Sequence, residues 1–266
     1  METPPSGTVP VHAEPAPSHR RTAGGARARD GGDGKLRAFL GSLQLADSAF
    51  PSGRYTLSHG LEAFVQAGLV DRSTPPRALV DLLADQIRHG VGPSDGTALA
   101  CAHRAAGDTD GTASAGRADT RLSEVKLPRE VRETSVRTGR ALLATATAAF
   151  GDETVTAYAR QVRAGRWPGN AAVVLGLVAA SLGIDREHAV AGELYSFASG
   201  WLTAAVRLAI IDHLTVQALL HTVTPVLAET ARDSCAAGVD DIAACTPMID
   251  IMSMRHEHAP LRLFMS

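Results

Sequence analysis

Aromatic side chains make up only 4% of the 266 residues, and no stretch interleaves them with basic ones. That excludes the stacking platforms with which single-strand nucleic-acid binders hold bases. The formal net charge is -2, so no whole-chain field draws the protein to nucleic acid or to an anionic membrane. Cys101, Cys235 and Cys245 are odd in number and form no Cys-x-x-Cys pair. This argues against a disulfide framework and a thiolate zinc site, and suits a reducing cytoplasm. The longest nearly uncharged apolar runs, 171–182 and 194–206, fall short of the roughly 20 residues that span a bilayer. No continuous apolar stretch near the N-terminus has the make-up of a signal peptide. A cytoplasmic chain with no membrane and no nucleic-acid partner is expected.

The P-loop and zinc-protease signatures are missing too. The one Gly-Lys, Gly34-Lys35, is followed by Leu36 and lacks the earlier spaced glycine of a P-loop. His256-Glu257-His258 does not continue as a zinc-protease His-Glu-x-x-His. The expectation is a protein that is not an enzyme and has no intrinsic cofactor.

What is present is helix punctuation. Hydrophobic residues are 45% and charged residues 20%, enough for a sizeable core. Residues 1–34 are rich in proline and glycine and hold no aromatic, so a disordered tail is expected there. From 35 to 266 a single all-α domain of about ten helices is expected, with no period-2 alternation between hairpin turns. Pro51 and Gly53 mark a turn, and a helix is expected from Tyr55 to Ala67, stopped by Gly68. Thr74 with Pro75 or Pro76 starts a helix that Gly90 ends, and Ser94 or Asp95 caps the next. The polar stretch 107–120 reads as a loop. Pro128 opens a long helix, and Asp152 and Asp185 cap two others. The run 171–182 is apolar on all sides, which makes it a buried central helix; the successor, to about Leu214, is the second core helix. Its charges Glu193 and Arg207 fall about 40° apart around the axis, either as solvent-facing groups or as a polar seam. A helix over 223–232 and an ordered segment from Asp240 complete the series.

The C-terminal strip alternates the anchors Met254, Leu261, Leu263 and Phe264 with Arg255 and Arg262. Apolar anchors beside arginine forks are the make-up of a segment that orders against a partner. Folding of Arg262 back onto Tyr55 is expected. Cys245 and Met248, Met252 and Met254 lie just upstream of His256 and His258, and soft sulfur with imidazole suits late first-row metal ions. The same residues also fit plain packing and a solvated polar patch, and both readings stand at this point.

Two stretches carry a family resemblance: Leu43-Gln-Leu-Ala-Asp-Ser-Ala-Phe-Pro-Ser-Gly-Arg-Tyr-Thr-Leu-Ser-His-Gly-Leu-Glu62, and the close at Arg255-His-Glu, then Arg262-Leu-Phe-Met-Ser266. Together with 132–143, 174–184 and 194–208, they resemble the urease accessory protein UreF family in order from about 35 to 266. Arg54, Gly169-Asn170 and Asp212-His213 depart from the commoner pattern. The resemblance implies an all-helical, dimeric, non-enzymatic chaperone of urease maturation. Its implied partners are a UreD-type (UreH-type) protein, the GTPase UreG, which binds the GTP and is regulated, and apo-urease, into which nickel is inserted. It implies a partner-binding set of Pro51, Gly53, Tyr55, Ser58, Gly60, Glu62, Arg255, His256, Glu257 and Arg262, with Tyr55 and Arg262 ordering the UreD-facing surface. The alternative is a metallochaperone whose nickel cation contacts are Cys245, His256 and His258.

Overall fold

The computed structural model describes residues 23–47, 50, 57–259 and 262–264, with side chains from residue 32 onward. All regular structure among them is helical. The α-helices are α1 (Ala23–Ala46), α2 (Leu61–Gln66), α3 (Pro76–Gln86), α4 (Thr97–Ala105), α5 (Gly111–Val125), α6 (Arg129–Ala149), α7 (Glu153–Arg163), α8 (Ala171–Ser181), α9 (Arg186–Arg207), α10 (His213–Ala236) and α11 (Pro247–His256). A π-helical segment, Ile87–Gly96, joins α3 to α4, and a 3-10 turn, Val239–Asp241, follows α10.

The centre is α8, where eight of the 11 residues are buried. It packs chiefly against α4 and α6. At Gly176 the α4 backbone comes so close that an added Cβ would collide with the Leu99 carbonyl oxygen; only glycine permits that approach. The second expected core helix, α9, is two-faced. It buries Val190, Leu194, Trp201 and Leu202 and leaves Tyr195 exposed.

Several sequence expectations give way to tertiary packing. Helix α1 takes in 23–34, which composition assigns to the tail. The Tyr55 helix begins instead at Leu61, while Pro51, Gly53 and Tyr55 lie outside the described residues. Gly90 does not end a helix, and neither Ser94 nor Asp95 caps one. The chain runs on through the π segment because the glycines there admit α10: a Cβ at Gly92 would collide with Thr230. Pro93 lies inside this segment, whose widened turn suits a residue without an N–H. Gly92-Pro93-Ser94-Asp95-Gly96 spells the Gly-x-Ser-x-Gly of hydrolase elbows. It stands on a helix rather than a strand-to-helix turn, and Ser94 Oγ donates to the Gly90 carbonyl at 2.6 Å.

The expected loop 107–120 is largely helix α5, whose Ala115, Ala118 and Leu122 are buried along one stripe. Small residues with weak local preference fold here because neighbours cover them. The long helix expected to reach Leu214 stops at Arg207, and Asp212 starts α10 by accepting the Thr215 N–H at 2.8 Å. Helix α10 extends well beyond 223–232 and contains Pro225.

A buried carboxylate ties three of these helices. Asp119 of α5 accepts the Tyr158 hydroxyl at 2.5 Å, the Gly169 N–H at 2.6 Å, the Asn170 N–H at 2.9 Å and Asn170 Nδ2 at 2.7 Å. The charge is thus held by four donors at the entrance to α8. Burial, reinforced by the Asp119 charge, pushes the Tyr158 phenol far up.

Candidate functional site

The turn into α2 reverses the chain with two successive positive φ angles, 51° at His59 and 85° at Gly60. His59 is braced by its ring, centred 4.5 Å from that of Phe197, and by its carbonyl, which accepts from Gln86 Nε2 at 3.1 Å. At Gly60 a side chain would press on Ser253 of α11, whose Oγ lies 3.2 Å from an ideal Cβ position. The turn therefore delivers Glu62, in the first turn of α2, directly beneath α11.

Glu62 is 3% exposed. Its Oε1 accepts the Leu263 N–H at 2.8 Å, and its Oε2 accepts the Phe264 N–H at 3.1 Å and meets His256 Nε2 at 2.9 Å. Across the ring, His256 Nδ1 meets Glu130 Oε2 at 3.2 Å. Each imidazole nitrogen thus faces a carboxylate oxygen, and a doubly protonated ring donates to both. Arg262 pairs with the other oxygen of Glu130. Glu257 Oε1 accepts the Glu130 N–H at 3.0 Å and its Oε2 lies 3.6 Å from Arg129 Nε, so Glu257 supplies an acceptor and a negative charge at the N-terminus of α6. Glu62, Glu130 and Glu257 thus converge with Arg129, His256 and Arg262 in one cluster. The segment ends with Phe264 buried and the Arg207 guanidinium stacked 4.3 Å from its ring centre.

Of the ten residues singled out as partner-binding, this arrangement gathers Gly60, Glu62, His256, Glu257 and Arg262. Ser58 is buried in the adjoining turn and Arg255 is exposed on α11. The C-terminal strip is helical as far as His256, and His256 is 1% exposed rather than part of a solvated patch. Arg262 reaches Glu130; its expected partner Tyr55 lies outside the described residues. Cys245 and His258 are exposed while His256 is enclosed, so the three candidate nickel contacts are not presented together. Among the described residues, no three His, Cys, Asp or Glu side chains are grouped to hold a metal ion. No described helix is long and apolar enough to cross a membrane.

Glu130 and Arg129 escaped the sequence. An acidic residue in the first turn after Pro128 is an ordinary helix start. Its partners lie 126 and 132 positions away.

These features define a class: an all-helical protein whose site is a self-docked C-terminal segment carrying charge and apolar anchors, with no grouped metal-ligating set among the described residues. Comparison makes the class specific. The UreF family model matches residues 74–224. The UreF urease accessory protein of Trichodesmium erythraeum (strain IMS101) is 32% identical over 226 residues, 85% of this chain and 95% of that protein. UreF 2 of Brucella canis is 32% identical over 231 residues, 87% of this chain and 93% of its own length. UreF of Paenarthrobacter aurescens (strain TC1) is 32% identical over 228 residues, covering 85% and 97%. The chain belongs to the UreF family of urease accessory proteins.

Proposed function

We propose that this chain is the helical scaffold of a cytoplasmic urease maturation complex. It docks a UreD-type protein, engages and regulates a UreG-type GTPase that binds the nucleotide, and supports insertion of nickel, the cargo, into apo-urease. The observation that carries this reading is the meeting of the two end segments at Glu62, which turns the C-terminal strip into a built surface. Met248, Ile251, Met254 and Leu263 remain exposed on it beside exposed Arg129 and Arg255. An apolar patch with an arginine rim is the usual anatomy of a docking surface. A homodimer is part of the proposal: Leu36, Phe39, Leu40 and Leu43 form an exposed stripe on α1 at i, i+3, i+4 and i+7.

Urease activation and GTP turnover by the UreG-type partner, measured with and without this chain, test the reading. Activation is expected to depend on the chain and to fall when Arg255→Ala or Met254→Asp alters the surface without touching the buried network. No dependence on the chain in either assay would overturn it.

A further inference from the structure

A cavity of about 150 Å³ lies between the 57–60 turn, the π segment, α6 and α9, apart from the docked C-terminal segment. Leu57, Val91, Val131 and Phe197 give it apolar walls. Its polar wall is unusual. Helical serine and threonine hydroxyls in this protein commonly donate back to the carbonyl four residues earlier, as Thr120, Thr145, Ser196, Thr222 and Thr224 do. Ser135 and Thr138, both on the cavity wall, do not: their hydroxyl oxygens are buried without any hydrogen-bond partner. Thr138 is only 4% exposed, so solvent outside does not serve it. A buried hydroxyl left unpaired is costly, and native proteins keep few of them.

The charges on the wall are already spent. Lys126 Nζ and Asp95 Oδ2 close on each other at 2.6 Å, and Glu193 is itself engaged. A charged guest would have to break such a pair; a neutral one meets two waiting hydroxyls and an apolar body. We infer that this cavity is a binding site for a small neutral molecule of roughly benzene's size, the scale that an apolar cavity of about 150 Å³ accepts, bearing a hydroxyl or amide edge for Ser135 and Thr138. Because His59 and Gly60 line the same space, an occupant also braces the turn that presents Glu62.

Phenol and benzene, titrated separately into the full chain by amide chemical-shift perturbation, test the site. Saturable phenol binding about five- to tenfold tighter than benzene binding is expected, the factor one hydrogen bond contributes. The paired substitution Ser135→Ala with Thr138→Val is expected to erase that preference while leaving benzene binding in place. If that variant does not fold, the preference in the native chain decides alone. Absence of saturable phenol binding, equal affinity for the two probes, or a preference that survives the substitutions would overturn the inference. So would a crystal of the phenol-soaked protein in which water alone bridges the two hydroxyls.

Discussion

The carboxylate of Glu62 and the imidazole of His256 lie 2.9 Å apart although 194 positions separate them in the chain. Both side chains are almost fully enclosed, at 3% and 1% exposure. Burying a charge is tolerated only when its partner is in place, so the pair makes the last segment conditional on α2 and α2 conditional on the last segment.

His256→Ala is expected to cost about 3–5 kcal/mol, because it leaves Glu62 buried with one donor fewer and opens a space under α11. Arg262→Ala, at a site 39% exposed, is expected to cost less than about 1 kcal/mol. Urea denaturation gives both numbers. Limited trypsin digestion at Arg255, a site both variants keep, is expected to accelerate strongly in the first variant and weakly in the second. Equal costs would show that burial does not set the strength of these contacts.

Asp119 is the hinge of a second comparison. Tyr158→Phe removes one donor from a carboxylate that keeps three others, Gly169 N, Asn170 N and Asn170 Nδ2, and is expected to cost about 1.5–3 kcal/mol. Asp119→Ala strands the Tyr158 hydroxyl and the Gly169 and Asn170 N–H groups together, while Asn170 Nδ2 keeps Ser123 Oγ at 2.7 Å, and is expected to cost more than Tyr158→Phe. Thermal unfolding followed by far-ultraviolet circular dichroism ranks the two.

Gly176→Ala probes a close backbone approach between α8 and α4. The new methyl group meets the Leu99 carbonyl and then Ala102 Cβ, 3.1 Å from the ideal position. Overpacking of this kind costs about 1–3 kcal/mol, even though alanine is the better helix former. A Tm above that of the native chain would show that helix propensity outweighs packing here.

Burial raises the Asp250 carboxyl above its ordinary value of 3.8, and the charge of Lys126 opposes that rise only in part. A carboxyl that holds its proton more tightly when folded makes the folded state lose stability as pH rises through the ordinary range and up to the folded value. Asp250→Asn is therefore expected to be more stable than the native chain at neutral pH. The gain is expected to vanish as pH falls below 3.8. Denaturation midpoints of both proteins across pH 3–8 read the difference; a gain that grows on acidification would contradict the sign.

What the sequence determined by itself is local and short in range. Pro128 stands before α6, Asp152 and Asp185 accept backbone N–H groups at the starts of α7 and α9, and the unbroken apolar run became the enclosed α8. A cap or a hydrophobic period acts over three or four residues, so it is written where it operates. The two end motifs were also visible as words in the chain. Their adjacency was not, because nothing in Glu62 or His256 names a partner nearly two hundred residues away.

Tertiary structure alone decided the rest. It made a helix of 111–125, where small residues form a stripe only because neighbours cover it. It carried the chain through Gly90 and Gly92, since close approach by Thr246 at the start of α11 and by Thr230 of α10, and not helix termination, is what those glycines serve. It also brought in Glu130, whose position after Pro128 is ordinary until α11 and Arg262 arrive on it. Contacts of that separation are won by the burial of the whole core, which assembles charges whose pairing no local pattern encodes.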